Sequence, residues 1–362
     1  MAERRRTGVV YDERCVAHDP PGGVPPGGLP DWAVLPAFER PERLTLTRSA
    51  LEGSGVLDRV TELPPRFATE AELRLAHTDE HVRRMLEATA TGERAQVGDD
   101  AWTGPGTQDA MLLSAGGVLG ALEAVLGGAL DNALALSRPP GHHAESGAAM
   151  GFCLVNNLAV AARWAQRERG LERVAIVDWD VHHGNGTEEI FLDDPSVLTV
   201  SLHQDRLYPA HTGALETRGA AGTNANVPLP AGTGDHGYAH AFDRVVAPVV
   251  RAFGPDLLLI AAGQDASATD PLGRMSVTVP GFRALADRAV ALADELCGGR
   301  LVAALEGGYS LLHLPLANLA ILEGLAGLPA TFAHDPVGVD VPAGLRDVEW
   351  AAVAAAEQAL GL

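Results

Sequence analysis

Five short apolar runs, rich in β-branched residues, recur along the chain between longer amphipathic or Ala- and Leu-rich segments. The runs are NALALS (132–137), RVAIVDW (173–179), SVLTVSL (196–202), DLLLIAA (256–262) and RLVAALE (300–306). Continuous apolar runs of this length predict strands that are buried on both faces. The segments between them, such as 152–168, 237–253 and 281–297, predict helices. The alternation predicts an α/β fold with a central, mostly parallel sheet covered by helices on both faces.

A polar or glycine-rich turn follows each of the five predicted strands. In chain order these turns read RPPGHHAE, DVHHGNGT, HQDRLYP, GQDASATDPLG and GGYS. In open α/β sheets, ligands bind at the carboxyl ends of the strands, because the strand ends and their loops meet at that edge. One such turn would be ordinary in any protein, whereas five predict a shared active site at this edge of the sheet.

No internal repeat and no linker divides the chain into halves. We therefore expect a single domain over 1–362, with a core at about 8–325 and a C-terminal extension at 326–362. The Pro- and Gly-rich stretch DPPGGVPPGGLP (19–30) lies too near the start to be a domain boundary, and we expect a surface loop there. A second stretch rich in Pro and Gly, 328–346, is expected to wrap around the core or to mediate assembly.

Composition narrows the classes of function. The 362 residues carry a net charge of −20, which argues against a nucleic-acid partner because the phosphate backbone demands a basic surface. The charge would attract cationic substrates, although an acidic surface that only maintains solubility is the commoner explanation. The start, MAERRRTGVV, lacks the apolar stretch of a secretory signal, and no apolar run reaches the length of a membrane span. Cys15, Cys153 and Cys297 show no metal-type spacing and fit a reducing cytoplasm.

The segment AIVDWDVHHGNGT (175–187) places two aspartates and two histidines directly after a predicted buried strand. Burying an unpaired carboxylate is costly, so a compensating positive charge is expected here. Asp180 and His182 stand two residues apart, and in extended backbone their side chains point to the same side. With Asp265, after the fourth predicted strand, they make a zinc-type ligand set that leaves one position open for water. An isolated Asp-x-His pair is usually only a hydrogen-bonded turn. His183 is expected either to support a metal ligand from behind or to be structural.

Adjacent histidines, His142 and His143, follow the first predicted strand on a turn from which both can face a cleft. A bare His-His pair is most often two surface imidazoles. Here Asp178 and Asn185 are spare hydrogen-bonding groups near the predicted metal, and each can orient one imidazole through its Nδ1–H. Water activated by a metal, beside an oriented imidazole, makes a hydrolytic pair. The phenol of Tyr309, beside two glycines, can donate a hydrogen bond to a developing oxyanion.

Six blocks of the sequence resemble, in order, the signature motifs of zinc-dependent histone deacetylases. They are RPPGHHAE, GFCLVNN, DWDVHHGNGT, SLHQ, DASATDPLG and EGGY. The similarity is closest to the bacterial class II histone deacetylase-like amidohydrolases, a group that borders on the acetylpolyamine amidohydrolases. It extends from GVVYDERCVAH and FERPERL to about residue 325, which is most of the chain. Accidental agreement of six ordered blocks is negligible.

The resemblance implies the arginase/deacetylase type of α/β sandwich and a chemical role for each residue that matches a family motif. The metal ligands would be Asp180, His182 and Asp265. The catalytic residues would be His142 with Asp178 behind it, His143 with Asn185 behind it, and Tyr309 at the transition state.

The resemblance also implies residues that contact the substrate and a second ion. Phe152 would form one wall of the acyl-lysine tunnel, with Gly151 and Gly307 against the substrate. A structural potassium ion would be held near the metal by Asp178, Asp180, His182, Ser201 and Leu202.

Two positions depart from the family pattern. Gln264 stands where a phenylalanine commonly precedes the ligand aspartate, which changes the polarity around that ligand. Tyr208 stands where the facing tunnel wall is usually phenylalanine, so the tunnel would carry a hydroxyl. The loop that supplies the aspartate for the substrate amide aligns poorly, which leaves Asp99 and Asp100 both as candidates.

The leading hypothesis is a metal-dependent amidohydrolase that removes acetyl or another short acyl group from an amine. A second class, a module that binds acyl-lysine without hydrolysing it, would be favoured by loss of the tyrosine, but Tyr309 is present. A ureohydrolase of the same fold needs two manganese ions and further carboxylates, where this chain has His183 and Ser267. We therefore predict one catalytic metal ion per chain, Zn²⁺ with Fe²⁺ as the alternative, besides structural K⁺.

The substrate stays open at this point. Acetylated protein lysine, acetylpolyamine and a small N-acylated metabolite all present a primary amine on a flexible chain. We expect no nucleic-acid or membrane partner, a cytoplasmic location, and either a monomer or a homo-oligomer (dimer or tetramer).

Overall fold

The fold is described by a computed structural model that covers residues 5–21, 37–339, 341 and 343–362. Within these residues, eight strands form one sheet in the order β2-β1-β5-β10-β9-β6-β7-β8, and every neighbouring pair is parallel. A separate antiparallel hairpin pairs β3 with β4. The strands are β1 (Thr7–Val10), β2 (Thr61–Leu63), β3 (Gln96–Gly98), β4 (Ala101–Trp102), β5 (Asn132–Ala135), β6 (Val174–Asp178), β7 (Val197–Gln204), β8 (Asn224–Leu229), β9 (Leu257–Ala262) and β10 (Leu301–Leu305).

Helices accompany the strands along the chain. A π-helical segment, Phe242–Val246, joins α7 to α8. The α-helices are α1 (Glu42–Ser54), α2 (Glu70–Leu73), α3 (Asp79–Ala90), α4 (Thr107–Leu126), α5 (Asn157–Arg169), α6 (Asn185–Phe191), α7 (Asp235–Ala241), α8 (Ala247–Phe253), α9 (Val279–Cys297), α10 (Leu314–Leu325) and α11 (Asp347–Leu360).

Two apolar clusters pack against the sheet, one on each face. Along β6 the side chains alternate between them: Ala175 and Val177 belong to one cluster, and Val174 and Ile176 belong to the other. Successive side chains of a strand point to opposite faces, so a strand that is covered on both sides must be apolar at every position. The predicted α/β architecture with a covered, mostly parallel sheet is therefore confirmed.

All five predicted strands are present, but the predicted helix at 152–168 begins later, at Asn157. The side chain of Asn156 accepts a hydrogen bond from the backbone N–H of Ala159 and so begins the helix. Phe152 has a φ of 66°, which a helix does not allow, so the first residues of the predicted segment form a turn. The segment 237–253 is helical with a π-helical interruption, and 281–297 lies within α9.

Three strands of the sheet were not predicted from the sequence. β1 and β2 are only four and three residues long, too short for a periodic pattern to emerge. β8 contains two asparagines and Pro228, residues that are depleted in strands, and it lies at the edge of the sheet, where proline is tolerated.

The predicted loop at 19–30 lies largely outside the described residues, which include only its first three positions. In the predicted C-terminal extension, α11 packs against β8 and α7. The division of the chain into one domain with an extension stays a prediction.

One helix, α4, is long and apolar enough to cross a membrane by length and composition alone. Its most apolar window is 67% buried inside the protein, against α5 and β5 among others. A buried core helix passes the same test, so this helix is weak evidence for a membrane span.

Candidate active site

The carboxyl ends of five strands meet at one edge of the sheet. In the centre of the sheet, β5, β10, β9, β6 and β7 are consecutive neighbours. The turns that follow them carry the five polar segments identified in the sequence. Parallel pairing brings all five turns to the same edge, because every strand runs in the same direction.

Asp180, His182 and Asp265 form a compact group on this edge. One ligand atom from each lies within 4.8 Å of the others. His182 Nδ1 is 3.1 Å from Asp180 Oδ1 and 3.0 Å from Asp265 Oδ2. All three side chains are buried. Among the described residues, this is the one group of three or more His, Cys, Asp or Glu side chains close enough to hold a metal ion.

Backbone amides and glycines hold the two carboxylates in place. The N–H of Gly307 donates to Asp180 Oδ2 over 2.7 Å, and the N–H of Val181 donates to Asp265 Oδ1 over 2.8 Å. A Cβ atom at Gly307 would overlap the carboxylate of Asp265, and one at Gly263 would overlap that of Asp180. Glycine is therefore required at both positions for the carboxylates to approach so closely.

The pKa shifts of Asp180, His182 and Asp265 indicate that the two carboxylates require a positive charge beside them. Burial alone would raise the pKa of Asp180, but His142 and His182 lower it far below its usual range. Burial opposes charge on His182, yet its hydrogen bonds with Asp180 and Asp265 raise its pKa to about 10. Burial and the charge of Asp180 raise the pKa of Asp265 to about 7. Two buried carboxylates and one imidazole fit a divalent cation, which would replace this proton charge.

The histidine pair lies beside the metal group, with a different partner behind each ring. His142 Nδ1 is 2.9 Å from Asp178 Oδ2, and His143 Nδ1 is 2.8 Å from Asn185 Oδ1. The amide of Asn185 in turn donates to Glu145 Oε1, so its oxygen faces His143. His143 therefore donates through Nδ1 and keeps the lone pair of Nε2 free to accept a proton.

The two histidines are shifted in opposite directions. Burial disfavours charge on His142, but Asp180 and Asp178 raise its pKa well above its ordinary value. Burial, together with the charges of His142 and His182, lowers the pKa of His143 well below its ordinary value. The partner behind each ring contributes to this difference, because a carboxylate stabilises the imidazolium and an amide does not.

A cavity of about 490 Å³ opens onto the metal group and the histidine pair, which we call its floor. Phe152 and Tyr309 meet edge to face on one side, with ring centroids 5.6 Å apart. On the other side, Tyr208 meets His143 edge to face at 5.1 Å. A Cβ atom at Gly151 would overlap His143, so this glycine lets the tunnel wall approach the histidine. The predicted site residues that line the cavity are His143, Gly151, Phe152, His182, Tyr208, Tyr309 and Asp100.

Tyr309 is held in place by Asp270, which contacts its backbone, and by Arg43, which contacts its ring. Its N–H donates to Asp270 Oδ2 over 2.6 Å. The guanidinium of Arg43 lies over its ring, 4.9 Å from the centroid. Burial raises the pKa of Tyr309 well above its ordinary value, although Arg43 acts in the opposite direction. The phenol therefore stays protonated and can donate a hydrogen bond.

Both candidate aspartates lie on the turn between β3 and β4, and Asp100 lines the cavity. Their backbone carbonyls accept hydrogen bonds from the tunnel-wall loop, Asp99 from Gly151 and Asp100 from Phe152, each over 2.9 Å. The hydroxyl of Tyr208 donates to Asp99 Oδ2 over 3.3 Å. Both aspartates are exposed. Asp100 lines the cavity and Asp99 contacts Tyr208, so the choice between these two rim carboxylates for the substrate amide stays open.

Other predicted residues lie near the site without lining the cavity. Gly307 contacts the metal-ligand carboxylates, so its part in substrate binding stays a prediction. Gln264 is buried and donates through its amide to the carbonyl of Ala262. His183 contacts Thr212 and Glu188, as expected of a structural histidine.

The residues predicted to hold potassium lie on adjacent segments. The register of β6 and β7 pairs Asp178 with Ser201, and Leu202 follows on β7. Asp180 and His182 come directly after β6. The ion itself stays a prediction.

Two buried groups that support the site were not predicted. Glu306 accepts through Oε2 from the N–H groups of Gly141 and His142, over 2.6 and 3.1 Å, and so fixes the turn of the histidine pair. Arg43 donates to the carbonyls of Glu306 and Gly308 and is paired with Glu39. Both residues belong to sequence blocks that resemble the family, Arg43 to FERPERL and Glu306 to EGGY, but no role was predicted for either of them.

Comparisons with known proteins agree with this geometry. A family model described as "Histone deacetylase domain" matches residues 37–325. A histone deacetylase-like amidohydrolase of Pseudomonas aeruginosa is 41% identical, over 92% of this chain and 89% of its own. A probable deacetylase of Archaeoglobus fulgidus is 40% identical, over 91% of this chain and 89% of its own. The human polyamine deacetylase HDAC10 is 39% identical, over 83% of this chain and 46% of its own.

Among solved structures, a crystal structure of the HDA15 HD domain superposes with a TM-score of 0.86 at 36% identity. It covers 98% of this chain, and this chain covers 94% of it.

Proposed function

The chain belongs to the histone deacetylase family and is a hydrolytic deacetylase, and we propose that its substrate is a primary amine carrying an acetyl or short acyl group on a flexible chain. The relatives leave the carrier of that amine open, because one is named a histone deacetylase-like amidohydrolase and another a polyamine deacetylase. Acetyllysine, acetylpolyamines and a small N-acylated metabolite therefore stay the candidate substrates.

A single observation carries the proposal. The buried group of Asp180, His182 and Asp265 lies next to a histidine whose pKa is lowered and which lines an apolar-walled cavity. An amide on a linear side chain can enter such a cavity from the mouth and reach the floor. The group supports metal-assisted hydrolysis of that amide.

Zn²⁺ held by Asp180, His182 and Asp265 would polarise the amide carbonyl and lower the pKa of the attacking water. His143 accepts the proton of that water through Nε2, because its low pKa keeps the ring neutral. It later returns the proton to the nitrogen of the leaving amine. His142, paired with Asp178, adds positive charge beside the reacting carbonyl and shares the acid role.

Tyr309 stabilises the negative charge that develops on the carbonyl oxygen. Its protonated phenol donates one hydrogen bond to the oxyanion, a contact that matters most in the transition state. Phe152 and Tyr208 flank the methylene chain of the substrate. A rim carboxylate, Asp99 or Asp100, accepts a hydrogen bond from its amide N–H.

We also propose K⁺ as a second, structural ion and Fe²⁺ as the alternative to zinc. Asp178, Ser201 and Leu202 would hold K⁺, together with the backbone of Asp180 and His182. The pairing of Asp178 with Ser201 across β6 and β7 supports this assignment. We further propose a cytoplasmic protein without nucleic-acid or membrane partners, with its assembly as a dimer or tetramer open.

The decisive experiment is a kinetic panel on metal-free protein reconstituted with one equivalent of Zn²⁺ or Fe²⁺. The panel comprises acetyllysine peptides, acetylspermidine, acetylputrescine and lysine peptides with longer acyl chains. We expect metal-dependent release of the acyl group from at least one class, with one metal ion bound per chain. Binding of acyl-lysine without turnover would favour a binding module, and two metal ions per chain would favour a ureohydrolase.

A further inference from the structure

A chain of hydrogen bonds outside the cavity joins the C-terminal segment to the loop of Tyr309. His313 Nε2 lies 2.9 Å from Asp335 Oδ1, and His313 Nδ1 lies 2.8 Å from the hydroxyl of Thr269. That hydroxyl lies 2.6 Å from the hydroxyl of Ser310. The ring of His313 and the carboxylate of Asp335 are buried, whereas Thr269 is exposed. We refer to Asp335, His313, Thr269 and Ser310 as the relay.

The direction of each hydrogen bond follows from the donors available. Asp335 is an ionised carboxylate, since burial raises its pKa but the hydrogen bonds from His313 and the N–H of Val279 lower it. It can only accept, so His313 carries a proton on Nε2, and in the neutral ring Nδ1 is an acceptor. In that tautomer Thr269 gives its single hydroxyl proton to Nδ1. Ser310 must then donate to Thr269, and its own oxygen accepts from the N–H of His313 over 3.3 Å.

The relay joins two loops of the active site. Thr269 lies on the loop after β9, four residues beyond Asp265, and Ser310 directly follows Tyr309 after β10. β9 and β10 are neighbours in the sheet, so the two loops leave side by side. Asp270 makes a second connection, because its Oδ2 accepts from the N–H groups of Tyr309 and Ser310. A shift of the Ser310 hydroxyl would therefore move the backbone that carries the phenol.

We propose that the relay positions Tyr309 over the floor of the cavity, with Asp335, His313 and Thr269 as positioning residues and Asp335 as its anchor. This inference rests on the proposed function, since the phenol is assigned to the oxyanion there. A local misplacement is costly, because the oxyanion must meet a donor at hydrogen-bond distance in the transition state. The relay therefore acts on kcat through Tyr309, and it leaves the metal group and the rim untouched.

Thr269→Val tests the relay with little change in shape, and Thr269→Ser is the matched control because it keeps the hydroxyl. We expect Thr269→Val to lower kcat by roughly tenfold at unchanged KM and metal content, whereas Thr269→Ser stays near wild type. Asp335→Ala should cause a similar loss from the other end of the relay. The double variant Thr269→Val/Asp335→Ala should lower kcat no more than either single substitution, because both break the same chain of hydrogen bonds.

A double-mutant cycle with Tyr309→Phe separates positioning from a merely structural role. In the Tyr309→Phe background the phenol is absent, so Thr269→Val should no longer lower kcat. An unchanged kcat in Thr269→Val, or an equal loss with and without the phenol, would overturn the proposal.

A readout without turnover keeps the relay testable if none of the acylated amines is a substrate. The chain has four tyrosines, so protein labelled with 3-fluorotyrosine gives few ¹⁹F NMR signals, and Tyr309→Phe identifies the signal of Tyr309. We expect that signal to shift or broaden in Thr269→Val and to stay unchanged in Thr269→Ser. A Tyr309 signal that is identical in the wild type, Thr269→Val and Thr269→Ser refutes the relay. Absence of turnover together with a shifted signal in Thr269→Val refutes only the proposed function.

Discussion

The floor of the cavity and its rim differ in how their side chains are held. On the floor, Asp180 and Asp265 are fully buried and each accepts from a backbone N–H of a neighbouring loop. At the rim, Asp99 and Asp100 are exposed, and the hydroxyl of Tyr208 reaches Asp99 over a long 3.3 Å. The floor residues come shortly after the ends of buried strands, whereas the rim aspartates lie on the turn of a separate hairpin. Side chains that need fixed geometry lie on turns directly after buried strands, whereas the rim carboxylates lie on an exposed turn.

The energetics of the two regions differ for the same reason. A buried carboxylate that loses its partner is left with an uncompensated charge, so each floor residue depends on the others. A rim carboxylate keeps contact with water when a neighbour is removed, and the loss is small. We therefore expect substitutions to have graded effects, from abolition of activity at the floor to small changes at the rim.

The largest effect is expected for Asp180→Ala and His182→Ala. Each should abolish both activity and bound metal, because a set of three ligands has no redundancy. Metal content measured by elemental analysis, together with turnover, checks this expectation. Asp99→Ala is the matched control, since it removes a carboxylate from the rim and should leave the metal bound. Full metal occupancy in Asp180→Ala would remove the distinction between floor and rim.

The next effect is expected at the histidine pair. His143→Ala should lower kcat by about 10²–10⁴-fold, the usual contribution of a general base, while His142→Ala should leave measurable activity. The comparison is made by steady-state kinetics at matched metal content. Greater loss in His142→Ala would exchange the roles of the two residues.

Asn185→Asp sharpens this assignment through pH. A carboxylate behind His143 favours the imidazolium and raises the pKa of the base. Because the neutral form is the active one, a higher pKa requires a higher pH for activity. The acidic limb of the kcat/KM profile should therefore move upward, and the expectation fails if that limb stays in place.

An intermediate effect is expected for Tyr309→Phe. Loss of one oxyanion donor should lower kcat by about 10²–10³-fold, with the fold and the bound metal retained. Thermal unfolding and metal analysis provide the controls. An unchanged kcat would mean that the phenol faces away from the reacting carbonyl.

The smallest effect is expected at the rim, for Tyr208→Phe. The substitution removes only the hydrogen bond to Asp99 and leaves the ring against His143. We expect KM to change by no more than roughly fivefold, which corresponds to about 1 kcal/mol, with kcat preserved. A large fall in kcat would show that the hydroxyl belongs to the floor rather than to the rim.

Much of the floor could be predicted because its signals are local. Asp180 and His182 stand two residues apart, and Asp265 follows an apolar run. These patterns alone predicted that the three side chains converge. The partners of the histidine pair followed from the same segment. At the rim, one sequence loop offered two adjacent aspartates, and only the structure showed that Asp100 lines the cavity while Asp99 contacts Tyr208.

The supporting contacts were not predictable in the same way. Glu306 reaches Gly141 and His142 across 165 and 164 positions of the sequence, and Arg43 reaches Gly308 across 265. No periodic pattern encodes pairs so far apart, because they depend on which strands become neighbours. Likewise, His313 had no signal of its own, since its partners Thr269 and Asp335 lie on two other segments.

The sequence by itself determined the alternation of strands and helices, the polar turns that follow five strands, and the residues of the candidate metal group. It did so because burial on both faces imposes an apolar run on a strand and leaves polar chemistry to the strand ends. The tertiary structure decided the strand order, the close approach permitted by Gly263 and Gly307, and the opposite pKa shifts of His142 and His143. These depend on distances between residues far apart in the chain, which are established only when the sheet assembles and excludes water.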